Sequence, residues 1–161
     1  MAVENMEECM VFVFDYDGVL SLEGEPRKLG VKLLLEALAL NGRVYIVSGR
    51  PSYEASTITG FLREQGIPAS RIRGILLRAR GSEVYHKLEA YREVEGREGC
   101  LGEIHDDNPE ALWPARRIVE RGLILHYDEL CEPIQGYSIL PSCRVNPFRA
   151  SWRRGITFEE S

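Results

Sequence analysis

Five short apolar runs, each separated from the next by a longer stretch with helical spacing, constrain this chain more than any other feature. The first, Met10 to Phe14 (MVFVF), is rich in β-formers with no polar break, the pattern of a strand buried on both faces. Val44 to Val47, Gly74 to Leu77, Leu101 to His105 and Leu123 to His126 follow at intervals. Between them, Lys28 to Asn41, about Tyr53 to Gln65, Glu83 to Glu95, and Pro109 to Arg121 read as helices. Asn41-Gly42, Gly66 and Gly122 supply stop signals, and Pro109 supplies a start. Gly18 to Pro26 reads as a loop. Strands alternating with helices predict βαβ units joined by right-handed crossovers. The expected fold is therefore α/β, a Rossmann-like three-layer sandwich around a central, mostly parallel sheet of about five strands. One domain is expected over residues 1–130. Residues 131–161 lose the periodicity and read as an irregular C-terminal extension packed on the same domain.

The composition suits this reading. A chain of 161 residues with 44% hydrophobic side chains can fill one core. A net charge of -5 excludes a general nucleic-acid coat protein, although a local basic patch is compatible with it. No run of ~18 apolar residues exists to span a membrane. The opening MAVENMEECM has no basic region ahead of an apolar run, so no secretory signal is expected, and a cytoplasmic location is. Cys9, Cys100, Cys131 and Cys143 include no CxxC pair, which argues against a zinc knuckle. Reduced, partly buried thiols are expected, with Cys131–Cys143 the one pairing considered for a disulfide. Lys28, Lys32 and Lys87 are the only lysines.

Sheets of this kind bind ligands beyond the carboxyl ends of their strands. Asp15-Tyr16-Asp17-Gly18 follows the first strand, Ser48-Gly49-Arg50 the second and Asp106-Asp107-Asn108 the fourth. Three strands thus bring four carboxylates and a hydroxyl to one edge. Such a cluster is costly without a cation among its members. Hard oxygen ligands suit Mg²⁺, which keeps several waters and is commonly shared with a substrate phosphate. The bland reading, acids that cap helices, fits Asp107 and Asn108 ahead of Pro109. It fits Asp15 and Asp17 poorly, because no helix follows them directly.

VFVFDYDGVL, YIVSGR, Lys87 and EIHDDNPEAL, in that order, resemble the four motifs of the haloacid-dehalogenase superfamily. The resemblance spans roughly Met10 to His126. It implies a phosphoric monoester hydrolase in which Asp15 is the nucleophile and forms an aspartyl-phosphate. It implies that Asp17 protonates the leaving oxygen and then takes a proton from water, its main-chain carbonyl also ligating Mg²⁺. Ser48 would donate to a phosphoryl oxygen, and Lys87 would neutralise Asp15 and the transferring group. Asp106 would bind Mg²⁺ directly and Asp107 would bind it through water or orient a ligand, while Gly49 and Arg50 are substrate-binding candidates. Val19 stands where the family commonly has Thr. The presence of Asp17 favours phosphatase over dehalogenase chemistry.

Neither the interval from Asp17 to Lys28 nor that from Arg50 to Lys87 has room for a large cap. An open site suits bulky phosphorylated substrates such as nucleic-acid ends or phosphoproteins. Trp113 in DDNPEALW is similar to the phosphatase domain of polynucleotide kinases. Arg144, Arg149, Arg153 and Arg154 with Phe148 and Trp152 form a basic aromatic tail. The competing readings are a phosphotransferase or mutase on the same scaffold and a non-catalytic phosphate-binding regulatory domain.

Overall fold

The structure, a computed structural model, describes residues 9–78 and 81–108, Ala115, and the backbone of two strands at 123–126 and 146–149. Its elements are β1 (Val11–Asp15), β2 (Ser21–Leu22), β3 (Glu25–Pro26), α1 (Lys28–Ala39), β4 (Arg43–Pro51), α2 (Ala55–Glu64), β5 (Gly74–Arg78), α3 (Glu83–Glu98), β6 (Glu103–Asp106), β7 (Leu123–His126) and β8 (Asn146–Arg149). The main sheet runs β5-β4-β1-β6-β7-β8. Its first five members pair in parallel, and β8 pairs antiparallel to β7.

Central β1 is buried at every position. Its period-two alternation divides its side chains between the two faces. Phe12 and Phe14, with Val44 and Ile46, pack against Leu34, Ala37 and Leu38 of α1 and Ile58, Phe61 and Leu62 of α2. Val11 and Val13, with Tyr45 and Val47, pack against Ala90, Tyr91 and Val94 of α3. The result is the expected α/β/α sandwich.

Four features differ from expectation. First, among the described residues the sheet gains an antiparallel edge strand, Asn146–Arg149, within the stretch expected to be irregular. Pro147 explains why no strand is evident there, since proline is tolerated on edges and disfavoured elsewhere in a sheet. Second, the loop after β1 contains the β2–β3 hairpin. Its central residues Glu23 and Gly24 have φ of 54° and 87°, as a type I′ turn requires. Third, Cys9 and Cys100 form a disulfide, Cα–Cα 6.1 Å, so the expectation of reduced thiols is corrected for both. Nothing in the sequence marks the pair, since 91 residues separate them and only the packing of the β1 and β6 starts makes them neighbours. Fourth, α3 extends to Glu98 and ends on Gly99 in the left-handed conformation. The Cys131–Cys143 pairing considered from the sequence, Trp113 and most of the Pro109–Arg121 helix lie outside the described residues. No helix among the described residues is long and apolar enough to cross a membrane.

Candidate active site

The strand register assembles the site. Phe14 lies opposite His105 in the β1–β6 ladder, so the next residues, Asp15 and Asp106, end their strands side by side. Asp107 follows immediately. Carboxylate oxygens of Asp15, Asp106 and Asp107 all lie within 4.8 Å of one another. The loop after β1 can come this close because of Gly18. A Cβ at Gly18 would sit 2.1 Å from Asp107 Oδ2, and its φ of +89° is one that side chains rarely adopt.

Lys87 reaches two members of this trio from α3. Its Nζ lies 3.2 Å from Asp15 Oδ2, 2.9 Å from Asp106 Oδ1 and 3.0 Å from Glu83 Oε2. An ammonium has three donors, and three carboxylates take them. Asp15, Lys87 and Asp106 are all buried, with Lys87 and Asp106 fully inaccessible. Burial by itself lowers the Lys87 pKa, but the charges of Asp15 and Asp106 outweigh it and the net shift is upward. Lys87 therefore stays charged. Burial and the charge of Asp106 push the Asp15 carboxyl well above its usual range, and Lys87 opposes them only in part. Asp107 is raised by burial and by Asp106 in the same way.

These shifts test whether a divalent cation fits. One lysine does not balance three clustered carboxylates, and without further positive charge the cluster favours taking up protons. All its donors are hard oxygens, held apart by distances that one small cation can bridge. The donor set therefore suits a divalent ion of the magnesium type.

The remaining predicted residues are arranged differently. Ser48, fully buried, ends the regular part of β4, and its Oγ accepts from Arg50 N at 3.1 Å. The β4–β5 register shifts between Ser48 and Pro51, so Gly49 and Arg50 lie at a bulge, a common device for aiming side chains at a site. The Asp17 side chain is not among the trio. It is 52% exposed and takes a two-pronged interaction from Arg50, Nε to Oδ2 at 3.0 Å and the second guanidinium nitrogen to Oδ1 at 2.9 Å. Arg50 also bonds Glu54 at 2.5 Å and lies over the Tyr16 ring. Its pKa is raised, chiefly by the hydrogen bond to Asp17.

Two participants escaped the sequence reading. Glu83 binds Lys87, and Tyr91 OH donates to Asp106 Oδ2 at 2.7 Å. Both stand one helical turn from Lys87, an i,i+4 pattern visible in EVYHKLEAY. His86 is half-buried and its Nε2 donates to the Ser48 carbonyl at 2.9 Å, which ties α3 to the end of β4. Burial lowers the His86 pKa despite its carbonyl partners, so the ring is neutral and structural. His105 is also structural. It stacks on Phe14 at 4.0 Å between ring centroids and bonds Glu103.

No family model and no curated protein matches this chain. Among solved structures, the chain is similar to the cobalt-bound form of the deoxy-D-mannose-octulosonate 8-phosphate phosphatase of Haemophilus influenzae. The identity is 20%, over 73% of this chain and 68% of that one, with a TM-score of 0.44.

Proposed function

We propose that this chain is a magnesium-dependent phosphoric monoester hydrolase of the haloacid-dehalogenase type, working through an aspartyl-phosphate on Asp15. The observation that carries the reading is the buried contact of Lys87 with both Asp15 and Asp106, beside Asp107, at the carboxyl ends of two adjacent parallel strands. A purely structural role gives no reason to bury two carboxylates on one lysine with a third acid beside them.

In this reading Asp15, Asp106 and Asp107, with the Asp17 main-chain carbonyl, would hold the cation. The bound ion would neutralise the acid cluster and polarise a phosphoryl oxygen. An Asp15 carboxylate oxygen attacks phosphorus, and the bond from phosphorus to the ester oxygen breaks. Protonated Asp17 gives its proton to the departing alkoxide. Asp17 then takes a proton from the water that attacks the same phosphorus, and Asp15 leaves as carboxylate. Lys87 offsets charge on Asp15 and on the transferring group throughout. Ser48 donates its hydroxyl to a phosphoryl oxygen, and Gly49 and Arg50 line the substrate's approach. For Asp17 to reach the ester oxygen, its interaction with Arg50 must open.

Among the described residues, the intervals flanking the site hold the small β2–β3 hairpin and, before α3, α2, β5 and short turns, which supports an open mouth. Bulky substrates, nucleic-acid ends or phosphoproteins, are the class we propose. A cytoplasmic location is also a proposal, and the Cys9–Cys100 disulfide weighs against it, because reducing compartments outside hyperthermophiles rarely keep such bonds. The test is hydrolysis of an aryl phosphate with and without Mg²⁺. The expected result is activity abolished by EDTA and reduced at least ~10³-fold in Asp15→Asn. Full activity in that variant would overturn the mechanism.

A further inference from the structure

We infer that Tyr91 is a positioning residue for the metal site, setting the orientation in which Asp106 meets the cation. The inference rests on the metal-dependent reading above. Asp106 has four acceptor positions on its two oxygens when ionised. Oδ1 accepts from Lys87 Nζ at 2.9 Å and from the Asn108 backbone N–H at 2.9 Å. Oδ2 accepts from Tyr91 OH at 2.7 Å. Donors thus grip both oxygens and fix the plane of the carboxylate.

The two side-chain donors come from one face of α3. Lys87 and Tyr91 are four residues apart, so the helix presents them one above the other against the end of β6. The two differ in what they bring. Lys87 carries a charge that competes with a cation. Tyr91 carries none, so it orients Asp106 without repelling the ion. The ring itself is 1% exposed and packed among Val11, Val13, Ala90 and Val94, which holds the hydroxyl in one place. A buried phenol needs a partner for its hydroxyl. That need alone is met by any acceptor, and Tyr45 in the same core meets it with Glu98, on the face of the sheet shared with α3. Tyr91 instead uses a member of the carboxylate trio.

Groups that hold a metal ligand from behind typically contribute 10- to 100-fold in metal affinity, so about that loss is expected when the Tyr91 hydroxyl is removed. The experiment is calorimetric titration of the full chain with Mn²⁺ or Mg²⁺, comparing wild type with Tyr91→Phe and Tyr45→Phe. Both variants keep an aromatic ring in the core. Thermal unfolding of each without metal measures the structural cost separately. The expected result is weaker ion binding in Tyr91→Phe alone, with similar melting for the two variants. If wild type binds an ion and Tyr91→Phe binds it as tightly, Tyr91 is a core residue and the inference falls while the hydrolase reading stands. If wild type binds no divalent ion, the metal-dependent reading itself fails, and this inference with it.

Discussion

Asp15 and Asp17 are two residues apart in sequence and meet opposite surroundings. Asp15 is buried, paired with a buried lysine and crowded by two further acids. Asp17 is exposed and paired with a half-exposed arginine that also holds Glu54. The difference follows from register. Asp15 is the last residue of β1 and remains within the sheet, whereas Asp17 lies past it, where the chain turns through Gly18. Burial makes the Asp15 pairing strong and immobile, because breaking it strands a desolvated charge. Exposure makes the Asp17 pairing weak and reversible. A nucleophile benefits from the first setting. A group that must deliver and collect a proton benefits from the second.

The largest break in this contrast comes from Lys87→Met. Removing one partner of a buried ion pair costs ~3–5 kcal/mol, so metal-free urea unfolding is expected to show a loss of that order. Added Mg²⁺ is expected to restore part of it, since a cation among the acids replaces the missing charge. A loss below that of an exposed-site control would contradict the buried assignment.

The next effect is on pH dependence. Burial raises the Asp15 and Asp107 carboxyls above the 3.8 of a free aspartate. The folded state then binds protons more readily than the unfolded chain. Stability without metal should fall as pH rises from about 4 through the raised native values. The Lys87 contribution has the same sign but is lost only above its free value of 10.5, far from this window. Melting temperature followed from pH 4 to 8 checks the slope, and saturating Mg²⁺ should flatten it. A metal-free profile that rises over this range would refute the electrostatic account.

Arg50→Gln should be milder. An exposed pair contributes at most ~1 kcal/mol to folding, and the matching loss of substrate contact would raise KM about fivefold. Steady-state kinetics on a dianionic ester checks this, and a loss of kcat larger than the rise in KM would move Arg50 into the chemical step. The smallest effect expected is from Glu83→Gln. Glu83 occupies one Lys87 donor from an exposed position, so stability should stay within ~0.5 kcal/mol. KM should fall, because the carboxylate no longer competes with the phosphoryl group. A raised KM would show that Glu83 assists binding.

Much of the fold was legible because its signals are local. MVFVF is buried on both faces, and a run without polar residues says so directly. The carboxylates were legible as strand-end residues, and Lys87 only through the order of motifs. Tyr91 and Glu83 were missed because an isolated tyrosine or glutamate on a helix has many ordinary explanations. Their meaning depends on which face of α3 meets β6. The Arg50–Asp17 pairing was missed for a related reason: Gly49 in YIVSGR marks a bulge, but not which side chains the shifted register brings together. The Cys9–Cys100 bond is still less local, being set by the meeting of two strand starts.

The most direct test is a crystal structure of the protein with Mg²⁺ and beryllium fluoride, which mimics an acyl phosphate on aspartate. The account predicts beryllium bonded to an Asp15 oxygen, its fluorides standing for phosphoryl oxygens, with one ion shared by Asp15, Asp106 and Asp107. Beryllium bonded to Asp17 instead, or an ion bound away from those three carboxylates, would contradict it.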